Sequence, residues 1–197
     1  LEFIFPKKCL GCRKEGLYIC KNCLSKVPRA GTFHPRFISL WEYQGVIKNA
    51  VISLKYKFAS EVAYELGKYA IFEIKKRFTT LPKKAGLVPI PLHWHRQNWR
   101  GFNQSAVLGE IIAKEMGWQF IPDLLIRKKA NTPQVRLKGD DRRKNIRGVF
   151  AINPRYGLST MHSILIFDDV WTTGSTIREA AKTLKKAGAR EVWGLTL

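Results

Sequence analysis

Between residues 46 and 58, Ile47, Ala50, Val51, Leu54 and Phe58 recur at three- and four-residue steps while Lys48 and Lys55 share a polar face, which predicts an amphipathic helix. A second helix is expected from about Ser60 to Phe78, opened by its serine and closed before "TTLPKKAG". The chain then alternates. "GLVPIPL" (86–92) reads as a short strand closed by prolines, and "GFNQSAVLGEIIAKEMG" as a helix with Leu108, Ile111, Ile112 and Met116 on one face and a stop at Gly117. "LLIRKK" (124–129) is a strand with a cationic exit, and "ILIF" (164–167) an uninterrupted apolar strand of the kind covered on both faces. "STIREAAKTLKKAG" puts Ile177, Ala180, Ala181 and Leu184 inward before Gly188, and "EVWGLTL" is a final strand. Strand–helix–strand alternation implies right-handed crossovers. The expected class is α/β, an open, twisted, mainly parallel sheet with helices on both faces.

Two stretches break the pattern. "KVPRAGTFHPRF" (26–37) is rich in Pro, Gly and basic residues without a period and reads as a linker, followed by "SLWEYQG" as a short strand. "ANTPQVRLKGDDRRKNIRGVF" (130–150) carries many cations and few apolar anchors, and a loop of that length is a functional lid or disordered.

Composition narrows the class. A chain of 197 residues with 45% hydrophobic and 25% charged residues suits one globular domain with an appendage. No apolar run approaches the ~20 residues of a membrane span. The opening "LEFIFPKKCLGC" lacks the basic start and long apolar core of a secretory signal. The charge changes the picture more. Thirty-five basic against 15 acidic residues give +20, a field that attracts polyanions such as nucleic acid or an anionic membrane. Solubility at high growth temperature is the other reading of the same charge.

All four cysteines, Cys9, Cys12, Cys20 and Cys23, fall in "CLGCRKEGLYICKNC". Two CxxC pairs can each wrap one edge of a tetrahedral ion, so four thiolates on a structural Zn2+ is the economical reading. Disulfide pairing is the rival, weakened by the absence of an export signal. About thirty residues cannot build a core of their own, so bound metal has to supply folding energy. The expected organisation is a zinc-binding module over 1–30 and an α/β domain over 38–197.

"ILIFDDVWTTGST" (164–176) holds the densest chemistry. In an open parallel sheet, ligands bind beyond the carboxyl ends of the strands, where this strand delivers Asp168 and Asp169. Carboxylates accept from both hydroxyls of a vicinal diol. Thr172, Thr173, Ser175 and Thr176 surround Gly174 at a helix start, where unpaired N–H groups and the helix dipole make a phosphate cradle. Diol first and phosphate a few residues later describes ribose 5-phosphate. The competing reading is a plain capping turn beside aspartates that bind magnesium or nothing.

This run resembles the phosphoribosyl pyrophosphate (PRPP) signature of type I phosphoribosyltransferases, departing at Trp171, where an aliphatic residue is usual. With "VPIPLHWHRQNWRGFNQ", the basic 127–150 stretch and the four-cysteine start, nearly the whole chain is similar to the competence protein F family. The resemblance implies a phosphoribosyltransferase fold and a cytoplasmic bacterial protein tied to DNA uptake in natural transformation, with proteins of the competence machinery as partners. It assigns Asp168 and Asp169 to the ribose hydroxyls and Thr172, Thr173, Gly174, Ser175 and Thr176 to the 5-phosphate. Leu92 and His93 fall at the pyrophosphate turn, Arg127 and Lys128 at the cations facing the same group, and 130–147 at the mobile catalytic lid. Mg2+ would accompany PRPP in an active enzyme. The bulky "PLHWHRQNW" departs from the small residues usual at the pyrophosphate turn, and no base-recognition hood is recognisable.

"HWHRQNWRGFN" (93–103) interleaves Trp94, Trp99 and Phe102 with Arg96 and Arg100, the composition of a stacking surface for single strands. Arg136, Arg142 and Arg143 extend the cationic set. Packing against the sheet edge is the other use for those rings. Two functions are therefore expected to compete: a PRPP- or ribose-5-phosphate-binding protein that holds single-stranded DNA, and a working phosphoribosyltransferase acting on a nucleobase or related nitrogen acceptor.

Overall fold

The structure is a computed structural model that describes residues 6–54, 60–92, 101–128, 146–157 and 162–197. In chain order these form α1 (Lys21–Ser25), β1 (Thr32–His34), β2 (Phe37–Ser39), α2 (Gly45–Ser53), α3 (Ser60–Arg77) and β3 (Gly86–Pro89). There follow α4 (Gln104–Met116), β4 (Gln119–Phe120), β5 (Leu125–Arg127), β6 (Phe150–Ile152), β7 (Ser163–Asp168), α5 (Ser175–Lys186) and β8 (Glu191–Thr196).

Six strands make one sheet in the order β1-β2-β8-β7-β3-β4. Every pairing from β2 to β4 is parallel, and only β1 runs antiparallel, on β2. β7 lies at the centre, with Pro89 of β3 opposite Phe167 and Thr196 of β8 opposite Asp168. Successive side chains of a strand point to opposite faces, so an unbroken apolar run feeds two cores. Leu165 and Phe167 join the core with Ile47 of α2, Leu66 of α3 and Leu108 and Ile112 of α4. Ile164 and Ile166 join the other, with Ile177, Ala180 and Leu184 of α5. All four strand residues are completely buried. The expected fold class is the observed one.

The cysteine segment packs on the first of these faces, for Cys9, Ile19 and Val27 belong to that core. Polar contacts fix it to α2 and α3. Asn49 donates to the Leu10 carbonyl at 2.8 Å, the Ile19 amide donates to Glu65 at 3.0 Å, and the Tyr69 hydroxyl donates to the Ile19 carbonyl at 3.0 Å. Lys7 pairs with Glu61 at 3.2 Å. Arg29 grips Glu73 with two nitrogens, each at 3.0 Å, and Arg77 approaches the same carboxylate at 3.4 Å. Glu73 is only 5% exposed, so its charge is tolerated because both guanidiniums satisfy it.

Several expectations shift. The helix expected over 46–58 is Gly45–Ser53, with Lys55 and Phe58 outside the described residues. The supposed linker contains β1 and the first residue of β2, and of the strand placed in "SLWEYQG" only Ser39 belongs to β2 (Phe37–Ser39). An open edge on β8 gives that short segment its partner, a tertiary effect that local propensity does not carry. "LLIRKK" yields β5, which pairs antiparallel with β6 in a separate two-stranded sheet instead of extending the main one. The strand beside β3 is β4, two residues long and too short to register as a pattern.

Candidate ribose-phosphate site

β7 ends at Asp168, so both aspartates stand at the carboxyl edge of the sheet, and the first turn of α4 meets them there. Asn103 caps that helix by accepting from the Ser105 amide at 3.0 Å, and its own amide donates to the Ile90 carbonyl at 2.9 Å, tying the cap to the end of β3. The next two side chains reach the acids. Gln104 donates to Asp169 Oδ2 at 2.9 Å, and Ser105 donates to Asp168 Oδ1 at 3.2 Å, an oxygen that also accepts from the Asp169 amide at 2.9 Å. Gln104 and Ser105 are buried while both aspartates are partly exposed. The carboxylates are thus held from behind and open to one side.

Their electrostatics differ. Burial, reinforced by the negative charge of Asp169, pushes Asp168 up to about 8, against the pull of its hydrogen bonds to Ser105 and the Asp169 amide. Tyr43, 39% exposed, has its hydroxyl pKa raised by burial and by the charge of Asp169. A carboxyl whose ionisation is opposed by burial and by its neighbour's charge would gain from a cation or from hydroxyl donors.

The turn that follows is built around one glycine. Gly174 has φ 69°, a left-handed conformation, and a Cβ there would lie 2.3 Å from the Trp171 ring. Trp171 lies folded over the turn, partly buried, with Phe37 at 6.1 Å and the Arg178 guanidinium 5.5 Å from its ring centre. Thr173 and Ser175 share a hydroxyl contact at 2.8 Å, and the Ser175 amide donates to Thr173 at 3.3 Å. Arg178 also donates to the Thr173 carbonyl at 2.9 Å, placing a cation at the start of α5. Thr172 and Thr173 are exposed, Ser175 and Thr176 half-buried. Hydroxyls, first-turn N–H groups and a guanidinium converge on one exposed turn, the surroundings that favour an oxyanion.

Other expected residues are distributed differently. Leu92, half-buried, follows β3 at the same sheet edge, whereas His93 lies outside the described residues. So do Trp94, Arg96, Trp99, Arg100, Arg136, Arg142 and Arg143, and with them most of the anticipated lid. Arg127 stands 5.8 Å over the Phe150 ring on the β5–β6 hairpin. Lys128 opens into a groove of about 510 Å³ lined by Arg147, Phe150, Glu179, Lys182 and Lys186. That groove follows the middle and last turns of α5, away from the first turn that carries the hydroxyls.

The four sulfurs of Cys9, Cys12, Cys20 and Cys23 lie within 4.8 Å of one another. Arg13 takes φ 65° in the first turn, and Cys20 caps α1 by accepting from the Cys23 amide at 3.4 Å. Burial disfavours the Cys9 thiolate, yet amide donors of Cys12, Cys20 and Gly11 prevail and bring it down to about 6. Burial and the neighbouring thiols push Cys23 up to about 12. A Cβ on Gly11 would stand 2.7 Å from the Cys23 sulfur, so the loop closes around the cluster as tightly as its chemistry allows. Four converging sulfurs with amide donors fit a tetrahedral thiophilic ion, with zinc the natural occupant.

Sequence reasoning missed Asn103, Gln104, Ser105, Tyr43 and Arg178. The first three were visible as "FNQS", a capping residue followed by polar side chains where an apolar helix begins. Tyr43 and Arg178 carried no local signal.

No family model matches the chain. It is 34% identical over 182 residues to DNA utilization protein YhgH of Salmonella typhi, covering 89% of this chain and 76% of that protein. It is 28% identical over 190 residues to competence protein F of Haemophilus influenzae, covering 89% and 77%. Among solved structures, the allosteric regulatory enzyme of purine biosynthesis is similar at 14% identity, covering 74% of this chain and 30% of that one, with a TM-score of 0.48.

Proposed function

Because the chain belongs to the family of the DNA utilization proteins and competence protein F, we propose that it acts in DNA uptake as a cytoplasmic protein that binds PRPP or ribose 5-phosphate and holds single-stranded DNA. The observation that carries the ribose-phosphate part is the pairing of two clamped carboxylates with a hydroxyl-rich turn on Gly174. Asp168 and Asp169 accept from the ribose hydroxyls. Thr172, Thr173, Ser175 and Thr176 and the first-turn N–H groups hold the 5-phosphate. Mg2+ accompanies PRPP and relieves the mutual repulsion of the acids. Zn2+ on the four cysteines is structural, and its module braces α3.

The DNA part rests on the family and on +20 of net charge. A second reading, transfer of the ribose phosphate to a nitrogen acceptor, draws on the same acids, since carboxylates fixed before the reaction stabilise a positively charged ribose. One tube tests both. Melting of the protein with magnesium and PRPP is followed together with pyrophosphate release. Stabilisation without release supports a binding pocket, and release that requires an added nucleobase supports the transferase. Asp169→Ala should abolish the stabilisation. A variant stabilised like the native chain would reduce the motif to a capping turn.

A further inference from the structure

α3 carries a stripe that neither the sheet edge nor the cysteine module uses. Tyr64, Lys68, Phe72 and Lys76 follow one another at four-residue steps, so they share one face of the helix, and Lys75 stands beside them. Tyr64 and Phe72 are 54% and 60% exposed, the two most exposed large apolar side chains among the described residues. They are two turns apart, about 12 Å at 1.5 Å per residue. The Lys68 ammonium lies 4.3 Å from the Tyr64 ring centre and the Lys76 ammonium 5.7 Å from that of Phe72.

The acids of the same helix point elsewhere. Glu61 pairs with Lys7, Glu65 accepts from the Ile19 amide, and Glu73 is held by Arg29 and Arg77. All three carboxylates of α3 are engaged on the side of the N-terminal segment, so the outer stripe keeps rings and ammonium groups without a balancing acid from its own helix.

We infer that this stripe of α3 is a binding track for single-stranded nucleic acid, with bases stacking on Tyr64 and Phe72 and phosphates meeting Lys68, Lys75 and Lys76. The occupant follows from the chemistry. Cations without a carboxylate partner from their own helix select a polyanion, and accessible rings select one that offers flat faces, which a single strand has and a duplex hides. An acidic protein segment would satisfy the lysines but has no reason to require two rings spaced between them. Each ring stays more than half exposed with its lysine already beside it, so a stacked base brings its phosphate to a cation in place. This inference rests on the reading of the chain as a single-strand binder and gives that reading an address outside the ribose-phosphate site.

The test measures anisotropy of a fluorescein-labelled oligothymidylate against the full chain over a series of salt concentrations. Native protein should bind, Tyr64→Ala and Phe72→Ala should each weaken binding by about tenfold, and Tyr64→Phe should bind like the native chain. Lys68→Gln with Lys76→Gln should flatten the slope of log affinity against log salt by roughly 0.7 per lysine. Melting curves with PRPP and magnesium check that these surface variants fold and keep their pocket. If the native chain binds and every variant matches it, the strand lies elsewhere and the inference falls while the broader reading stands. If the native chain does not bind even at low salt, both fall. If the variants instead lose self-association in light scattering at unchanged oligonucleotide affinity, the stripe is a protein contact and the inference is overturned.

Discussion

Asp168→Asn should make the protein more stable at neutral pH while abolishing its response to PRPP. The acid is lifted from 3.8 to about 8, first by burial and then by Asp169, which sets the cost of its ionised form on the order of 5 kcal/mol. The side chain keeps some solvent access, so about 2 kcal/mol is the realistic gain from removing the charge. The amide preserves shape and leaves Oδ1 to accept from Ser105 and the Asp169 amide. The pH dependence has a definite sign. Between about 4 and 8 the folded chain holds a proton on Asp168 that the unfolded chain has released, so this group's contribution is complete at low pH and lost as pH rises to about 8. Melting curves of both proteins from pH 5 to 9 should therefore diverge, the variant gaining on the native chain as pH rises. At this size about 2 kcal/mol corresponds to roughly 4–8 °C. A difference in melting temperature that stays constant across the range would refute the reasoning, because a lost contact has no such window.

Two further outcomes concern the supports of the fold. Cys9→Ser should lose bound zinc in elemental analysis and loosen the N-terminal segment, read as protease cleavage before residue 30 in a chain whose sheet still melts cooperatively; full metal content would sink the four-thiolate assignment. Gly174→Ala should lower stability by about 2–4 kcal/mol, since the new methyl meets both a left-handed backbone and the Trp171 ring, and should weaken PRPP binding at least tenfold in calorimetry.

The alternation of strands and helices was legible because its signals are local and repeated. Ile164 to Phe167 announced a strand buried on both faces, and Leu108 and Ile112 announced the inner side of α4. Cysteine spacing alone grouped the four thiols that meet in space. What escaped depends on partners far along the chain. Phe37–Ser39 becomes a strand because β8 offers an edge more than 150 residues later. The two residues of β4 are too few to show a period. At the site, the aspartates and the glycine turn could be read directly, but their supports could not. Gln104 and Ser105 lie some 65 positions before the acids they hold, and only the packing of α4 against β3 brings them together. The stripe on α3 was written in the sequence at four-residue steps, yet its meaning depended on knowing where Glu61, Glu65 and Glu73 point.

Those three acids give the N-terminal module a role beyond covering apolar surface. Taken alone, α3 has three carboxylates and four basic residues, an ordinary zwitterionic helix of the kind that solvates itself. Docking the cysteine segment sorts that mixture, drawing negative charge inward and leaving positive charge outside. A relative that dispensed with the module would keep every lysine and both rings and still lose the asymmetry, because its glutamates would return to the solvent among them. The polarity of this helix is thus a property of two parts of the chain together, and it is made by subtraction.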